Sequence, residues 1–380
     1  MTPVPFPDDT AVNRHPPDAD EVATLSRGVL GATQPDGGLT AVQRVLIEAV
    51  FPAMTGFPAT LDEPALGPAD FALALARRDK AFRTRIVQVM VLAALVLRPI
   101  PVAVADRLAE YARELGVDDG MLGVAREFAS GSLGLAAFDF ERNGYTAAWT
   151  HDDAHALHTS SELASAWDLV VNDTALAGQW TALERLPEGT LGRRVSEFYR
   201  ARGFSYPGLA GSAPPLLAQH DWVHVLAEYG TTVESELEVF AFIARANDDM
   251  RAFSLLAMVV SLFETGYLRT GAGLFQSDTG HLARSGMAVR VADAMRRGAL
   301  CAGSTDYLRT DWFSLAPMTL DEARAHFGVP PKADSAVEAG SCGPWEPGGI
   351  SPFQEATGRQ LAEREGRPYQ SFGASAQPSR

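Results

Sequence analysis

Cysteine is almost missing from this chain: Cys301 and Cys342 are the two in 380 residues. They stand far apart, with no C-x-x-C spacing, and the opening MTPVPFPDDT lacks the basic and apolar regions of a signal peptide. A reducing cytoplasm is the simplest setting. Positive charge is also short, with 32 Lys and Arg against 47 Asp and Glu and a net charge of −15. That balance argues against general nucleic-acid binding, which needs a positive field, and leaves only local basic clusters open. Nor does any apolar run reach the roughly 18–20 residues of a membrane span. The longest, 86–97 and 255–263, read as buried helices. Peripheral contact with the cytoplasmic membrane stays open.

What is present points to an all-α protein of two helical domains. The length suits two cores plus tails, and a hydrophobic content of 46% is ample to fill them. Residues 1–38, rich in Pro, Asp and Gly, read as a disordered arm. From 39 to 145 strand signals are absent and apolar residues recur at helical spacing, predicting a bundle with helices at 40–54, 68–80, 82–97, 101–115 and 118–130. Helices follow at 160–171 and 173–185 within a second domain covering 150–331. Residues 332–380, rich in Gly, Pro and Ser, read as an irregular tail with one short helix at 354–365.

The chemistry concentrates between His220 and Glu236. On a helix over 216–229, His220, His224 and Asp221 project at about 0°, 40° and 100°, so all three share a face. An unbroken helix would carry Glu236 about 24 Å from His220, too far for any coordination bond. The helix must therefore fold back. Gly230 supplies a stop, and Thr231 with Glu234 three residues later reads as a capping box for the next helix. The second domain is thus built round a helix hairpin whose His220, Asp221, His224 and Glu236 can hold one divalent metal. Nitrogen and oxygen donors without thiolate favour Zn2+, with cobalt, manganese and iron open. A metal-free core pair of histidines, hydrogen-bonded to the two carboxylates, is the alternative.

A second histidine cluster, His151, His155 and His158 with Asp152 and Asp153, has Trp167 where a matching carboxylate would stand and reads as a solvated connector. In Leu186–Gly192 (LPEGTLG), Pro and two glycines define a turn, and Thr190 can cap a helix carrying Arg193, Arg194, Arg200 and Arg202. Thr190, Arg193 and Arg194 are candidate substrate contacts for a carboxylate or phosphate. Arg200 and Arg202 read equally well as a solvated basic face. The apolar runs 239–244 and 252–263 either line a tunnel for a greasy ligand or are plain core.

LPEGTLG followed by HDWVH and Glu236 resembles the ubiquinone (coenzyme Q) biosynthesis protein 4 family, in which HDxxH-x11-E is the metal signature and an LPxGTLG segment precedes it. Arg296-Arg297-Gly298, Asp311-Trp312 and LDEARAHFGV extend the likeness over about 150–331. More weakly, IVQVMVLAALVL followed by DRLAEYARELGV resembles the tellurite-resistance protein B-like helical domain. Its acidic interhelical residues are replaced here by Arg98-Pro99-Ile100-Pro101.

The first resemblance implies a metal-dependent decarboxylase or lyase of quinone biosynthesis, acting on a polyprenylated benzoate-type ring with loss of carbon dioxide and entry of oxygen. Its implied ligands are His220, Asp221, His224 and Glu236; no separate general acid is identifiable. The short segment with Pro214-Pro215 and the added bundle leave room for another prenylated or aromatic substrate. The same family is also associated with organising a biosynthetic complex, so a non-catalytic lipid-binding scaffold is the second expectation. A metal-dependent hydrolase is the third. Partners compatible with these readings are a prenylated aromatic or quinone-type lipid, other quinone-biosynthesis enzymes and a second copy of the chain.

Overall fold

The computed structural model describes residues 17–97, 100–118, 122, 173–209, 212, 218–246, 256, 260, 280–301 and 305–375. Among them the chain forms fourteen α-helices, one short 3-10 turn and no strand, so the protein is all-α.

The first helix lies where an arm was expected. In α1 (Ala19–Thr33) the Asp18 side chain accepts from the Glu21 amide at 2.9 Å, capping the helix. Val22, Leu25, Val29 and Ala32 then fall on one face and are buried. Next come α2 (Ala41–Thr55), α3 (Pro68–Ala74), α4 (Lys80–Leu95) and α5 (Val102–Glu114). Thr40 and Gln43 form a capping box at the start of α2. Gln43 is also a pin: its buried Nε2 donates to the carbonyls of Thr33 at 2.9 Å and Ala93 at 3.1 Å, tying the ends of α1 and α4 together. Every residue of α4 from Ile86 to Leu95 is buried, as expected of a helix that is apolar on all sides. It contacts α1, α2 and α5. The helix expected at 160–171 lies outside the described residues, as does 118–130 apart from Asp118 and Leu122.

The second half contains α6 (Thr174–Ala182), running into a 3-10 turn at Leu183–Arg185, then α7 (Leu191–Arg202), α8 (Gln219–Ala227), α9 (Val233–Ala246) and α10 (Met287–Ala299). Short helices α11 (Trp312–Leu315), α12 (Leu320–Phe327) and α13 (Asp334–Glu338) follow, and α14 (Pro352–Arg364) is the last. All of α9 is buried, which makes it the axis of this half. It packs along α10 so closely that a Cβ on Gly298 would stand 2.2 Å from the Phe242 carbonyl oxygen. Because α10 also packs on α2, one buried apolar cluster runs from Val22 to Phe327. The expected domain boundary at 145–150 lies outside the described residues.

The segment expected to be an irregular tail contains α13 and α14. Ser351 and Gln354 cap α14 reciprocally, and the helix lies on α7, with Gly358 against the Ala201 carbonyl and the Tyr369 hydroxyl donating to the same oxygen at 3.0 Å.

Candidate metal centre

The hairpin folds back as the spacing requires, but at different residues from those expected. Helix α8 ends at Glu228, which takes the left-handed conformation (φ 63°), two residues before Gly230. A left-handed non-glycine residue costs about 1–2 kcal/mol, and the helix end is held by arginines that arrive from elsewhere in the chain. Arg324 Nε donates to the Leu226 carbonyl at 3.0 Å and pairs with Glu228 at 3.0 Å, while Arg297 Nη1 donates to the Ala227 carbonyl at 2.9 Å. Cations at the negative end of a helix satisfy its last carbonyls and favour its dipole.

Thr232 rather than Thr231 caps α9, accepting from the Ser235 amide at 3.4 Å. Thr231 is engaged instead by the rest of the protein. Arg202 Nε donates to its hydroxyl at 2.8 Å, the hydroxyl lies 2.6 Å from Gln354 Oε1, and its amide donates to the Gly349 carbonyl at 3.0 Å.

This turn brings all four expected side chains together. Glu236 Oε2 lies 3.3 Å from His220 Nε2 and 3.2 Å from His224 Nε2, and Asp221 Oδ1 lies 3.7 Å from His220 Nε2. Ligand atoms of His220, Asp221 and His224 all fall within 4.8 Å of one another. The site is sealed: relative exposure is 5% for His220, 6% for Asp221, 0% for His224 and 1% for Glu236. Phe240 stacks on the His220 ring at 4.9 Å and Phe198 on the His224 ring at 5.5 Å. His224 Nδ1 faces the Tyr229 carbonyl at 3.3 Å, which suits a ring whose Nε2 is turned toward a ligand.

The electrostatics separate the two carboxylates. Burial alone would raise the Glu236 carboxyl, but the imidazoles of His224 and His220 outweigh it and hold it at about 2. Asp221 moves the other way, because burial outweighs its imidazole neighbours and the hydroxyl of Tyr199. That hydroxyl donates to Asp221 Oδ2 at 2.5 Å and is itself kept protonated, first by burial and then by the facing carboxylate.

Three buried carboxylates project from α9, and their partners tell them apart. Glu234 meets His281 at 2.8 Å and Arg284, and Glu238 meets Arg290 at 2.6 Å. Those arrangements contain a permanently charged guanidinium and read as internal ion pairs. Glu236 faces two imidazoles, which can exchange a proton for a metal ion. Buried nitrogen and oxygen donors so close to one another fit a divalent cation of the zinc type.

Arg202, read from the sequence as equally compatible with a solvated face, is completely buried. Besides Thr231 it donates to the carbonyls of Pro344 and Gly349, both at 3.0 Å, and its guanidinium lies 3.9 Å over the Phe198 ring. Burial brings it down to about 9, so it stays charged at neutral pH. It joins α7, the hairpin turn and the C-terminal segment at one point. The sequence carries no local mark of this, or of Tyr199, Phe198 and Phe240.

Thr190 is the cap of α7, accepting from the Arg193 amide at 3.4 Å, and its own hydroxyl donates to the Pro187 carbonyl at 2.8 Å. Arg193 and Arg194 both pair with Glu197 at 3.1 Å, and Arg193 also reaches the Glu184 carbonyl. These three candidate substrate contacts therefore have internal partners. The LPEGTLG turn docks on the segment before α12, with Leu191 donating to Met318 at 2.7 Å and Gly192 to Ala316 at 2.9 Å. Residues 239–244 are core, Phe242 packing between Tyr229 and Tyr307. The cluster His151, His155 and His158 lies outside the described residues, as does 252–263 apart from the buried Leu256 and Val260.

Comparison with protein-family models, with curated proteins and with solved structures finds no match to this chain. Among the described residues no helix is long and apolar enough to cross a membrane.

Proposed function

We propose that this chain is a metal-dependent protein of prenyl-quinone metabolism that acts in the oxidative decarboxylation of a polyprenylated benzoate-type ring. The observation that carries the reading is the convergence of His220, Asp221, His224 and Glu236, two imidazoles and two carboxylates buried together and supplied by two helices. The substrate class comes from the resemblance of LPEGTLG and HDWVH–Glu236 to the ubiquinone biosynthesis protein 4 family.

In the reaction the ring–carboxyl bond breaks and carbon dioxide leaves; one atom of dioxygen becomes the ring hydroxyl and the other leaves as water. The two electrons and two protons for that water come from an external two-electron donor, since zinc itself is redox-inert. A bound divalent ion, zinc by donor type, would supply a Lewis acid for the negative charge that develops as that bond breaks. The chain's own residues do the rest. His220 and His224 present Nε2 from adjacent turns of α8, Glu236 Oε2 faces both, and Tyr199 holds one oxygen of Asp221. The rings of Phe198 and Phe240 cover the imidazoles and keep water from them.

The burial of all four side chains favours a second reading, in which the ion fixes the hairpin and the protein is a scaffold that retains a prenylated lipid for partner enzymes.

Metal analysis of the purified protein, together with mass spectrometry of lipid that co-purifies with it, tests both readings. Zinc at one equivalent with a prenylated aromatic acid is the expected result. Product formation that is lost in Glu236→Gln while lipid is retained identifies the enzyme. A folded, metal-free variant that still functions identifies the scaffold, and absence of metal from the parent protein overturns both.

A further inference from the structure

Asp221 follows His220 directly in the chain, so on α8 it leaves the helix about 100° away from its neighbour, and its carboxylate needs steering to face the imidazoles. The two oxygens have separate surroundings. Oδ2 accepts from the Tyr199 hydroxyl at 2.5 Å, and Oδ1 is the atom that lies 3.7 Å from His220 Nε2. Tyr199 comes from a different helix, α7, and is itself immobilised. Its ring centroid lies 4.9 Å from that of Trp180, 5.5 Å from Tyr206 and 5.6 Å from Phe204. The Tyr206 hydroxyl is held in turn, donating to Glu184 Oε1 at 2.9 Å and lying 3.1 Å from Ser196 Oγ.

We propose that Tyr199 is a positioning residue of the metal centre: its hydroxyl occupies Asp221 Oδ2 and thereby makes Asp221 a one-oxygen ligand through Oδ1. This rests on the metal reading above. Without the hydroxyl the carboxylate is free to rotate, and both its oxygens become available to the ion. An outer partner that fixes a ligand carboxylate commonly contributes a factor of roughly 10–100 in metal affinity.

The test compares the parent protein with Tyr199→Phe, which keeps the ring and its packing. Zinc affinity is read by chelator competition, and the ligand field by the visible absorption of the cobalt(II)-substituted protein. The expected result is zinc binding weaker by roughly 10–100-fold, with cobalt bands that lose intensity and shift as the coordination number rises, while the metal-free protein stays folded with its thermal midpoint lowered only by the loss of one buried hydrogen bond. Equal affinity and an unchanged cobalt spectrum overturn the assignment and leave the metal reading standing. A parent protein that binds neither ion overturns both. Should Tyr199→Phe not fold, proton NMR of the tyrosine-labelled parent protein decides. A slowly exchanging, downfield Tyr199 hydroxyl proton that moves on zinc addition supports the proposal, and one that stays in place refutes it.

Discussion

The carboxylate of Glu236 lies 3.2 Å from Nε2 of His224, although the two residues belong to different helices joined by a reversal of the chain. The same oxygen lies 3.3 Å from His220 Nε2. A buried carboxylate shared by two imidazoles has two physical uses: it can accept hydrogen bonds from protonated rings, or complete a set of donors round a cation. The first makes the hairpin sensitive to protonation alone. The second makes it sensitive to metal.

Metal should therefore stabilise the parent protein and not the variant that lacks the shared oxygen's charge. At a zinc concentration 100 times its dissociation constant, linkage stabilises the folded chain by about 2.7 kcal/mol. Differential scanning calorimetry with and without zinc should show a raised midpoint for the parent and a much smaller rise for Glu236→Gln. An identical rise in both would place the ion elsewhere.

Arg202 ties the hairpin turn to the C-terminal segment through Thr231, Pro344 and Gly349. Lysine keeps the charge but not the planar fork, so Arg202→Lys leaves at least one buried carbonyl without its donor. A loss of about 1–3 kcal/mol is expected from each such unpaired group, read as a lower urea midpoint. Zinc content should fall with it, because the turn it holds sets the distance from α8 to Glu236.

The hairpin was legible because its chemistry is local: two histidines four apart on a helix, a stop, and a carboxylate early in the next helix. Its turn lies one or two positions from where the local sequence places it, for a non-local reason. Arg324 and Arg297 end α8 at Glu228, and Arg202 draws Thr231 away from the helix end, leaving Thr232 to cap. None of these arginines is near the turn in sequence. Helix α1 was hidden by composition, since Pro, Asp and Gly round it mask the stripe of Val22, Leu25, Val29 and Ala32. The C-terminal segment has an ordered place because its carbonyls and Gly358 meet α7, and partners separated by well over a hundred residues leave no periodicity to read.

Gly298, which belongs to one of the motifs behind the quinone-biosynthesis resemblance, lets α10 approach the backbone of α9. A methyl group there would meet the Phe242 carbonyl oxygen at 2.2 Å and the Ala246 amide nitrogen at 3.2 Å. Backbone on both sides cannot rotate away as a side chain can. Gly298→Ala should cost roughly 1–3 kcal/mol as overpacking, despite alanine's better helix propensity. A urea midpoint equal to or above the parent's would mean the two helices separate freely.

Glu234 gives the fold a measurable acid response that is separate from the candidate metal centre. Burial alone would raise its carboxyl above the ordinary 4.5, but His281, a backbone amide of its own helix end and, last, Arg284 prevail and hold it at about 2. A carboxyl depressed in the folded state stabilises the fold above its unfolded value, and that contribution is lost as pH falls through the folded one. The stabilisation from Glu234 should thus be complete above about pH 5 and vanish progressively down to about pH 2. Glu234→Gln removes it at every pH. Urea titrations of metal-free parent and variant should therefore show the largest stability difference at neutral pH, narrowing steadily between pH 5 and 2. A difference that stays constant across that range would mean that Glu234 contributes through packing and hydrogen bonding of its side chain, not through its charge.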